Sequence, residues 1–285
     1  MILCDITINW TQVLLVLGIF SAIGIVFTAA ILIVAKVCKT NADEKIENIL
    51  SNLAGANCGG CGCSGCEGFA KKLCGGEAKL DECHVTENDK KVVIAKILGI
   101  DYVEGEHTVM VVRCAGGRFA ADSFRYNGLV DCANEELLFH GAKICKDGCL
   151  GSASCIGCCP EKAIVLDAGH AYVKPNECIS CGVCADTCPK SLFERIPMTA
   201  RVYIACSSKC KGKEVIDMCK NGCIGCGLCA RACPEGAITM NGPLPVIDYS
   251  VCTGCEMCVE KCPRKVIKSR KNVFLRAVRR KRFSR

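Results

Sequence analysis

Aromatic side chains are scarce in this chain: one Trp, five Tyr and nine Phe make up 5% of its 285 residues. A body so poor in large apolar groups draws much of its folding energy from elsewhere, and metal centres are one such source. Histidine is rarer still. His84, His107, His140 and His170 are scattered and show no metal-ligand or catalytic pairing. No Ser-His-Asp arrangement and no pair of carboxylates with an evident task can be assembled. No G-x-G-x-x-G follows a predicted strand, so the signature of a nicotinamide or flavin dinucleotide site is missing. Charge is absent from two stretches. Between Asp5 and Lys36 there is none, and from Arg264 to Arg285 there is no Asp or Glu, although that tail carries 11 of the 36 Lys and Arg. Removing those eleven leaves 25 basic against 29 acidic residues, so the formal charge of +7 belongs to the tail and the body carries −4. A nucleic-acid-binding reading from overall charge is therefore excluded for the body.

Cysteine is what the chain has in excess, with 30 residues. Cysteine at that density means disulfides, zinc or iron–sulfur clusters. Disulfide frameworks suit short secreted chains and need no repeated spacing. Zinc sites show two separated C-x2-C pairs. Here Cys178, Cys181, Cys184 and Cys188-Pro189 follow the C-x2-C-x2-C-x3-C-P run that holds a [4Fe–4S] cluster in bacterial-type ferredoxins. The run recurs as Cys223, Cys226, Cys229, Cys233-Pro234 and as Cys252, Cys255, Cys258, Cys262-Pro263. Three thiolates on one tight loop cap three corners of a cube, and the fourth serves the neighbouring cluster. Free thiolates also require a reducing compartment.

From Val13 to Ala35 the chain is almost wholly Val, Leu, Ile, Ala, Phe and Gly. About 20 apolar residues span a bilayer, so a single transmembrane helix is expected within residues 1–37. The run is too long for a signal peptide and lacks a basic leader. Trp10 is placed at one interface. Lys36 and Lys39 beyond the far end, with Asp5 before the near one, put everything that follows in the cytoplasm by the positive-inside rule. Thr40 to Ala54 reads as an amphipathic helix through Ile46, Ile49, Leu50 and Leu53, ended by Gly55. The following loop places Cys58, Cys61 and Cys66 at spacings of two and four, with Cys83 sixteen residues further on. Its glycines let backbone wrap closely around a cube, and no Lys-Ser/Thr accompanies them as a phosphate loop demands.

A single N-terminal anchor, then N-C-G-x-C-G-x-x-G-C with a distant fourth cysteine, then ferredoxin repeats, resembles the B subunit of the Rnf complex. That family is the membrane-bound ferredoxin:NAD oxidoreductase that couples electron transfer to Na⁺ or H⁺ translocation. The resemblance covers roughly residues 1 to 270. It implies a [4Fe–4S] cluster on Cys58, Cys61, Cys66 and Cys83, soluble ferredoxin as donor, other subunits of a membrane complex as partners, and membrane lipid around the anchor. Nucleic acid is not expected as a partner. The implied location is a bacterial or archaeal cell membrane, with a single pass and the iron–sulfur domains on the cytoplasmic side.

Past Lys90, Val92 to Leu98 reads as helix and Val109 to Val112 as a strand delivering Cys114. Cys132 follows. Cys145, Cys149, Cys155 and Cys159-Pro160 make a stretched ferredoxin motif, similar to the expanded first motif of some Rnf B subunits. The segments PEKAI, PEGAI and PRKVI after these motifs, with short strands and turns beyond, mark internal repeats of a pseudo-symmetric unit. The family fold implies crossed ligand sets. In the first unit these are Cys145, Cys149, Cys155, Cys188 and Cys178, Cys181, Cys184, Cys159. In the second they are Cys223, Cys226, Cys229, Cys262 and Cys252, Cys255, Cys258, Cys233.

Between the units Val202 to Cys206 repeats the strand-then-cysteine form. Cys114, Cys132, Cys206 and Cys219 are thus candidates for a sixth cluster, against the plainer reading of four buried structural thiols. Cys4, Cys38, Cys63, Cys74, Cys158 and Cys210 are left as free thiols. The expected class is α+β: a transmembrane anchor (1–37), a small [4Fe–4S] domain (38–90), a connecting segment (91–140), a two-cluster ferredoxin unit (141–197), a second connector (198–220), a second two-cluster unit (221–270) and a basic tail (271–285). The tail's Val273, Phe274, Ala277 and Val278 fall on one helical side, suited to anionic lipid or an acidic partner, with a merely solvated basic tail as the equal alternative. The expected function is an iron–sulfur conductor within a membrane oxidoreductase, carrying at least five clusters and no bond-making site of its own. The alternatives are a membrane polyferredoxin serving a hydrogenase or a redox-sensor reductase, and a zinc-bound scaffold.

Overall fold

The computed structural model describes residues 10–37 and 41–270. Cys4, Asp5, Cys38, Lys39 and the basic tail 271–285 lie outside the described residues, as do the side chains of Trp10 and Lys36. The first helix, α1 (Trp10–Val37), has 28 residues, about 42 Å at 1.5 Å per residue. Leu14, Phe20 and Ile25 on it are each exposed by 66% or more. Its hydroxyls turn back on the helix, Ser21 Oγ donating to Gly18 O at 3.0 Å and Thr28 Oγ1 to Gly24 O at 2.7 Å. The described side chains of α1 do not by themselves make an apolar stretch long enough to cross a membrane, and no other described helix does.

Three helices form the next unit: α2 (Asn41–Asn52), α3 (Gly65–Gly75) and α4 (Asn88–Leu98). Helix α2 lies against both others. Ile49 of α2 and Leu53 just after it, Phe69 and Leu73 of α3 and Ile94 of α4 close a small core. Asp43 and Glu44 in the first turn of α2 suit its positive N-terminal end. Helix α4 begins four residues before the expected Val92, after an extended Glu87 and with Asp89 in its first turn, where a negative charge suits the helix N-terminus.

The remainder is built from β1 (Thr108–Val112), α5 (Cys132–Leu137), α6 (Ser154–Gly157), β2 (Ile164–Asp167), β3 (His170–Val173), α7 (Val183–Thr187), β4 (Phe193–Pro197), β5 (Val202–Ile204), α8 (Lys213–Met218), α9 (Leu228–Arg231), β6 (Ile238–Asn241), β7 (Leu244–Ile247), α10 (Met257–Lys261) and β8 (Ile267–Ser269). The strands pair antiparallel in four two-stranded sheets, β1 with β4, β2 with β3, β5 with β8 and β6 with β7. The same plan is thus used twice. A leading strand is followed by a cysteine motif and short helix, a hairpin, a second motif and helix, and a closing strand that pairs with the leader. The strands that open each repeat, β1 and β5, are therefore sheet partners of β4 and β8. Val109 and Ile196 face each other across β1 and β4 and are fully buried.

Each short motif helix is entered through a left-handed residue: Ala153 (φ 67°), Gly182 (φ 89°), Gly227 (φ 70°) and Glu256 (φ 64°). Two residues later, inside the helix, comes a buried cysteine: Cys155, Cys184, Cys229 or Cys258. The turn swings the chain so that this sulfur points inward. Such sharp turns suit glycine, and two of the four positions hold it.

Arg270 falls beside the basic tail by composition, yet it is only 6% exposed. Its guanidinium donates to Ala200 O at 3.0 Å and Pro197 O at 3.4 Å, and its backbone N–H donates to Arg201 O at 2.7 Å. It fastens the end of β8 to the turn after β4, joining the second repeat to the first. Arg270→Ala leaves buried carbonyls without a donor, a loss of about 1–3 kcal/mol. Anaerobic denaturant unfolding should show a lower midpoint; an unchanged midpoint contradicts this fastening role.

Candidate iron–sulfur sites

The candidate cysteines lie in six neighbourhoods. Cys61, Cys66 and Cys83 pack on the core of the three-helix unit, and Cys58 turns towards Cys181 (the glycine-loop site). Cys178, Cys181 and Cys184 lie together with Cys159 beside Cys181 (the Cys178 site). Cys223, Cys226, Cys229 and Cys262 ring one cavity (the Cys223 site). Cys252, Cys255 and Cys258 cluster, with Cys233 in the same core (the Cys252 site).

Two cysteines have exchanged places relative to the crossed pairing expected above. Cys132, not Cys145, closes the ring with Cys149, Cys155 and Cys188 (the Cys149 site). Cys145 instead stands beside Cys114 and Cys206, in a cavity shared with Cys219 (the inter-unit site). Local hydrogen bonds account for both. The Cys132 N–H donates to Ser154 Oγ at 2.8 Å, and that hydroxyl donates to Asp131 Oδ1 at 2.7 Å, which draws the start of α5 against the Cys155 loop. Asp147 accepts the Lys209 N–H at 2.9 Å, which holds the Cys145 loop against the segment after Cys206. Ser154 and Asp131 carry no cysteine-spacing signal, so the motif alone does not reveal the exchange.

Three of the rings, the Cys149, Cys223 and inter-unit sites, enclose cavities of about 20 Å³. Packed interiors leave few such voids, and here two are lined by four cysteines and the inter-unit one by five, Cys149 included. Among the described residues no three His, Cys, Asp or Glu are gathered tightly enough to hold one metal ion. A lone zinc draws its sulfurs to about 2.3 Å from a single point. Sulfurs standing round a gap suit a four-iron cube that brings its own sulfide. A larger cleft of about 470 Å³ lies between the hairpin β2–β3 and strand β8, lined by His170, Tyr172, Tyr203 and Lys268; it has no ring of thiols.

Burial raises these thiols, with neighbouring sulfurs adding to it: Cys145 and Cys155 to about 12, Cys149, Cys223 and Cys258 to about 11. Such groups ionise near neutrality only when a metal takes the proton's place. Backbone N–H groups are already aimed at the sulfurs. Ser180 N–H donates to Cys178 Sγ at 3.4 Å, Ala163 N–H to Cys159 Sγ at 3.3 Å and Val266 N–H to Cys262 Sγ at 3.4 Å. These bonds favour an anionic sulfur and tune the potential of whatever it binds. Cys63, Cys158 and Cys210 point their S–H at oxygen, respectively Cys61 O at 3.8 Å, Cys155 O at 3.3 Å and Glu214 Oε1 at 3.0 Å, and so does Cys223, at Pro243 O at 3.9 Å. Cys74 packs in the three-helix core.

Two features of the glycine loop have no sequence signal. A Cβ on Gly60 would come within 2.1 Å of Cys181 O, so only glycine lets this loop lie directly on the Cys178 motif. Thr86, 3% exposed, places its hydroxyl 3.2 Å from Cys83 Sγ and also accepts the Ala54 N–H at 3.2 Å.

Comparison with known proteins agrees with these groups in kind. Residues 222–269 match the 4Fe-4S dicluster domain family, and residues 53–85 match the family described as a putative Fe-S cluster. The chain is 36% identical over 239 residues to the B subunit of the Na(+)-translocating ferredoxin:NAD(+) oxidoreductase complex of Acetobacterium woodii, covering 83% of this chain and 72% of that one. It is 34% identical over 234 residues to the B subunit of the ion-translocating oxidoreductase complex of Methanosarcina acetivorans, covering 81% and 89%. It is 34% identical over 247 residues to the B subunit of the proton-translocating ferredoxin:NAD(+) oxidoreductase complex of Clostridium ljungdahlii, covering 84% and 85%.

Thr86→Val removes one hydrogen bond to the Cys83 sulfur, about 1 kcal/mol or roughly 40 mV for a one-electron couple. Redox titration should find one centre shifted to lower potential by that order, with Thr86→Ser restoring it. No shift in any centre contradicts the placement of Cys83 as a ligand.

Proposed function

The chain belongs to the B-subunit family of ion-translocating ferredoxin:NAD⁺ oxidoreductase complexes and is an iron–sulfur electron-transfer subunit; we propose that it takes electrons from reduced ferredoxin and hands them to membrane partner subunits. A [4Fe–4S] cluster supplies one-electron exchange. Two electrons and one proton convert NAD⁺ to NADH elsewhere in the complex, since this chain offers no dinucleotide signature.

The chain's own part is to hold and insulate. The glycine-loop cysteines Cys58, Cys61, Cys66 and Cys83 hold one cluster. In the first ferredoxin unit the sets are Cys159, Cys178, Cys181, Cys184 and Cys132, Cys149, Cys155, Cys188. In the second they are Cys223, Cys226, Cys229, Cys262 and Cys233, Cys252, Cys255, Cys258. The observation that carries this reading is the set of thiol rings around small voids, with N–H groups directed at the sulfurs. The domain divisions follow the same sets, with β1 and β5 assigned to the ferredoxin units they lead.

The helix α1 is assigned as a single-pass anchor. Its 28 residues and outward apolar side chains support this, together with the charge-free stretch between Asp5 and Lys36. Lys36 and Lys39 then set the iron–sulfur domains on the cytoplasmic side of a bacterial or archaeal membrane. The basic tail 271–285 is assigned to anionic lipid or to an acidic partner surface.

The test uses the intact complex purified anaerobically from membranes. Cys181→Ala should lower iron by about four per chain and abolish ferredoxin-driven NAD⁺ reduction, while the chain remains in the membrane fraction. Full iron content in this variant refutes the ligand assignment, and undiminished NAD⁺ reduction refutes the relay.

A further inference from the structure

The inter-unit site remains. Its cysteines come in two pairs, Cys114 and Cys145 from the first repeat and its leading segment, Cys206 and Cys219 from the corresponding part of the second. All four are buried, at 7–9% exposure. Each of the other sets has at most one buried cysteine. Buried thiols are common as small apolar groups, so burial alone says little.

Three observations separate this group from packing. First, backbone N–H groups are aimed at two of the sulfurs: Cys206 Sγ accepts the Cys223 N–H at 3.4 Å, and Cys114 Sγ accepts the Gly116 N–H, from two residues ahead, at 3.4 Å. The same pattern serves Cys178, which Ser180 reaches from two residues ahead. Second, an ideal Cβ on Gly116 would lie 3.5 Å from both Cys114 Sγ and Cys219 Sγ, so these sulfurs, from different repeats, are no more than about 7 Å apart across the void. Third, cationic groups stand close by. Arg264 donates to Cys219 O at 2.6 Å, and Arg113 borders the same seam, its carbonyl accepting the Ser207 hydroxyl at 3.0 Å.

The site is also tied to a neighbour on each side. The Cys149 N–H donates to Cys114 Sγ at 3.3 Å, and the Cys223 N–H donates to Cys206 Sγ at 3.4 Å. A residue of the Cys149 set and one of the Cys223 set are thus hydrogen-bonded directly to sulfurs of the inter-unit set, in matching positions of the two repeats. Beyond the Cys149 site, Cys155 neighbours Cys184, and beyond that Cys58 neighbours Cys181. In the other direction α9 packs on α10, bringing the Cys223 and Cys252 sites together.

We infer that Cys114, Cys145, Cys206 and Cys219 are the ligands of a sixth [4Fe–4S] cluster, and that this cluster is the joint between the two ferredoxin units. The six sites then stand in single file: glycine-loop, Cys178, Cys149, inter-unit, Cys223, Cys252. The inference rests on the reading of the other five sets as cluster sites. Only one electron moves at each exchange along the file, supplied by reduced ferredoxin and consumed by the membrane partners, and no atom is transferred.

The experiment replaces Cys219 by Ser in the intact, membrane-purified complex, with Cys145→Ser and Cys132→Ser beside it. In Cys219→Ser and Cys145→Ser, iron should fall from about 24 to about 20 per chain, and the same Mössbauer and paramagnetic signals should be lost from both. Cys132→Ser should lose a different signal. Dithionite should still reduce all remaining centres in Cys219→Ser, whereas limiting reduced ferredoxin should reduce those of one repeat only. Full iron in Cys219→Ser overturns the sixth cluster even if Cys181→Ala has lost its centre as proposed above. Loss of iron with both repeats still reduced by ferredoxin overturns the joint. Should Cys219→Ser not fold, identical signals missing from Cys145→Ser and Cys132→Ser overturn the assignment, and different signals uphold it.

Discussion

A thiol carried into a protein interior gives up water and gains little in return. Burial holds Cys145 and Cys155 near 12 and Cys149, Cys223 and Cys258 near 11, so none of them ionises at neutral pH unaided. The backbone nevertheless aims N–H groups at sulfurs of the same sites, those of Cys114, Cys159, Cys178, Cys206 and Cys262, an arrangement suited to anions. Bound iron would resolve the conflict by taking the proton's place on the sulfur, and the energy of that exchange would enter the folding equilibrium. The rest of the body depends on it. The apolar cores of the two repeats are small and interleaved with cysteine, as where Cys155 and Cys184 share a core with Ile164 and Leu192. This is the structural counterpart of a sequence with few aromatic residues.

The duplication gives the electron-transfer role its geometry. Each repeat opens with a strand that pairs with its own closing strand and then delivers a cysteine, Cys114 after β1 and Cys206 after β5. Those cysteines face each other across the seam of the two repeats. The Asn221 side chain donates to Ala115 O at 2.9 Å, and the Ser207 hydroxyl to Arg113 O at 3.0 Å, so the seam is held by polar contacts around the sulfurs. At the N-terminal end, the bare backbone of Gly60 lets the glycine loop touch the Cys178 motif. Close approach between sites is therefore built at each joint from elements that carry no redox chemistry themselves.

Much of this was legible in the residues. The spacing of Cys178, Cys181 and Cys184 and its recurrences specify tight loops, because a single turn must present three sulfurs. The hairpins after Cys159-Pro160 and Cys233-Pro234 follow from short β-branched runs around turn residues. What the residues did not disclose lies in long-range contacts. Cys132 and Cys145 are separated by one helix and a loop, and spacing says nothing of which way each loop folds. The hydrogen bonds of Ser154 with Asp131 and of Asp147 with Lys209 decide it. Arg270 likewise reads only as the last residue of the second unit, beside the basic tail, and the carbonyls of Pro197 and Ala200 reveal it as a buried clasp. Thr86 reads as one more polar residue until its hydroxyl is seen beside Cys83.

The central claim is that rings of cysteine in this chain hold iron–sulfur cubes rather than zinc, disulfides or nothing. Iron, zinc and acid-labile sulfide counted per chain on the anaerobically purified full-length protein, with Mössbauer spectra of the same sample, test it directly. The account predicts about 24 irons and as many sulfides, all in cubane spectra, with zinc at background. Stoichiometric zinc, or a colourless iron-free protein that keeps its fold, would contradict it.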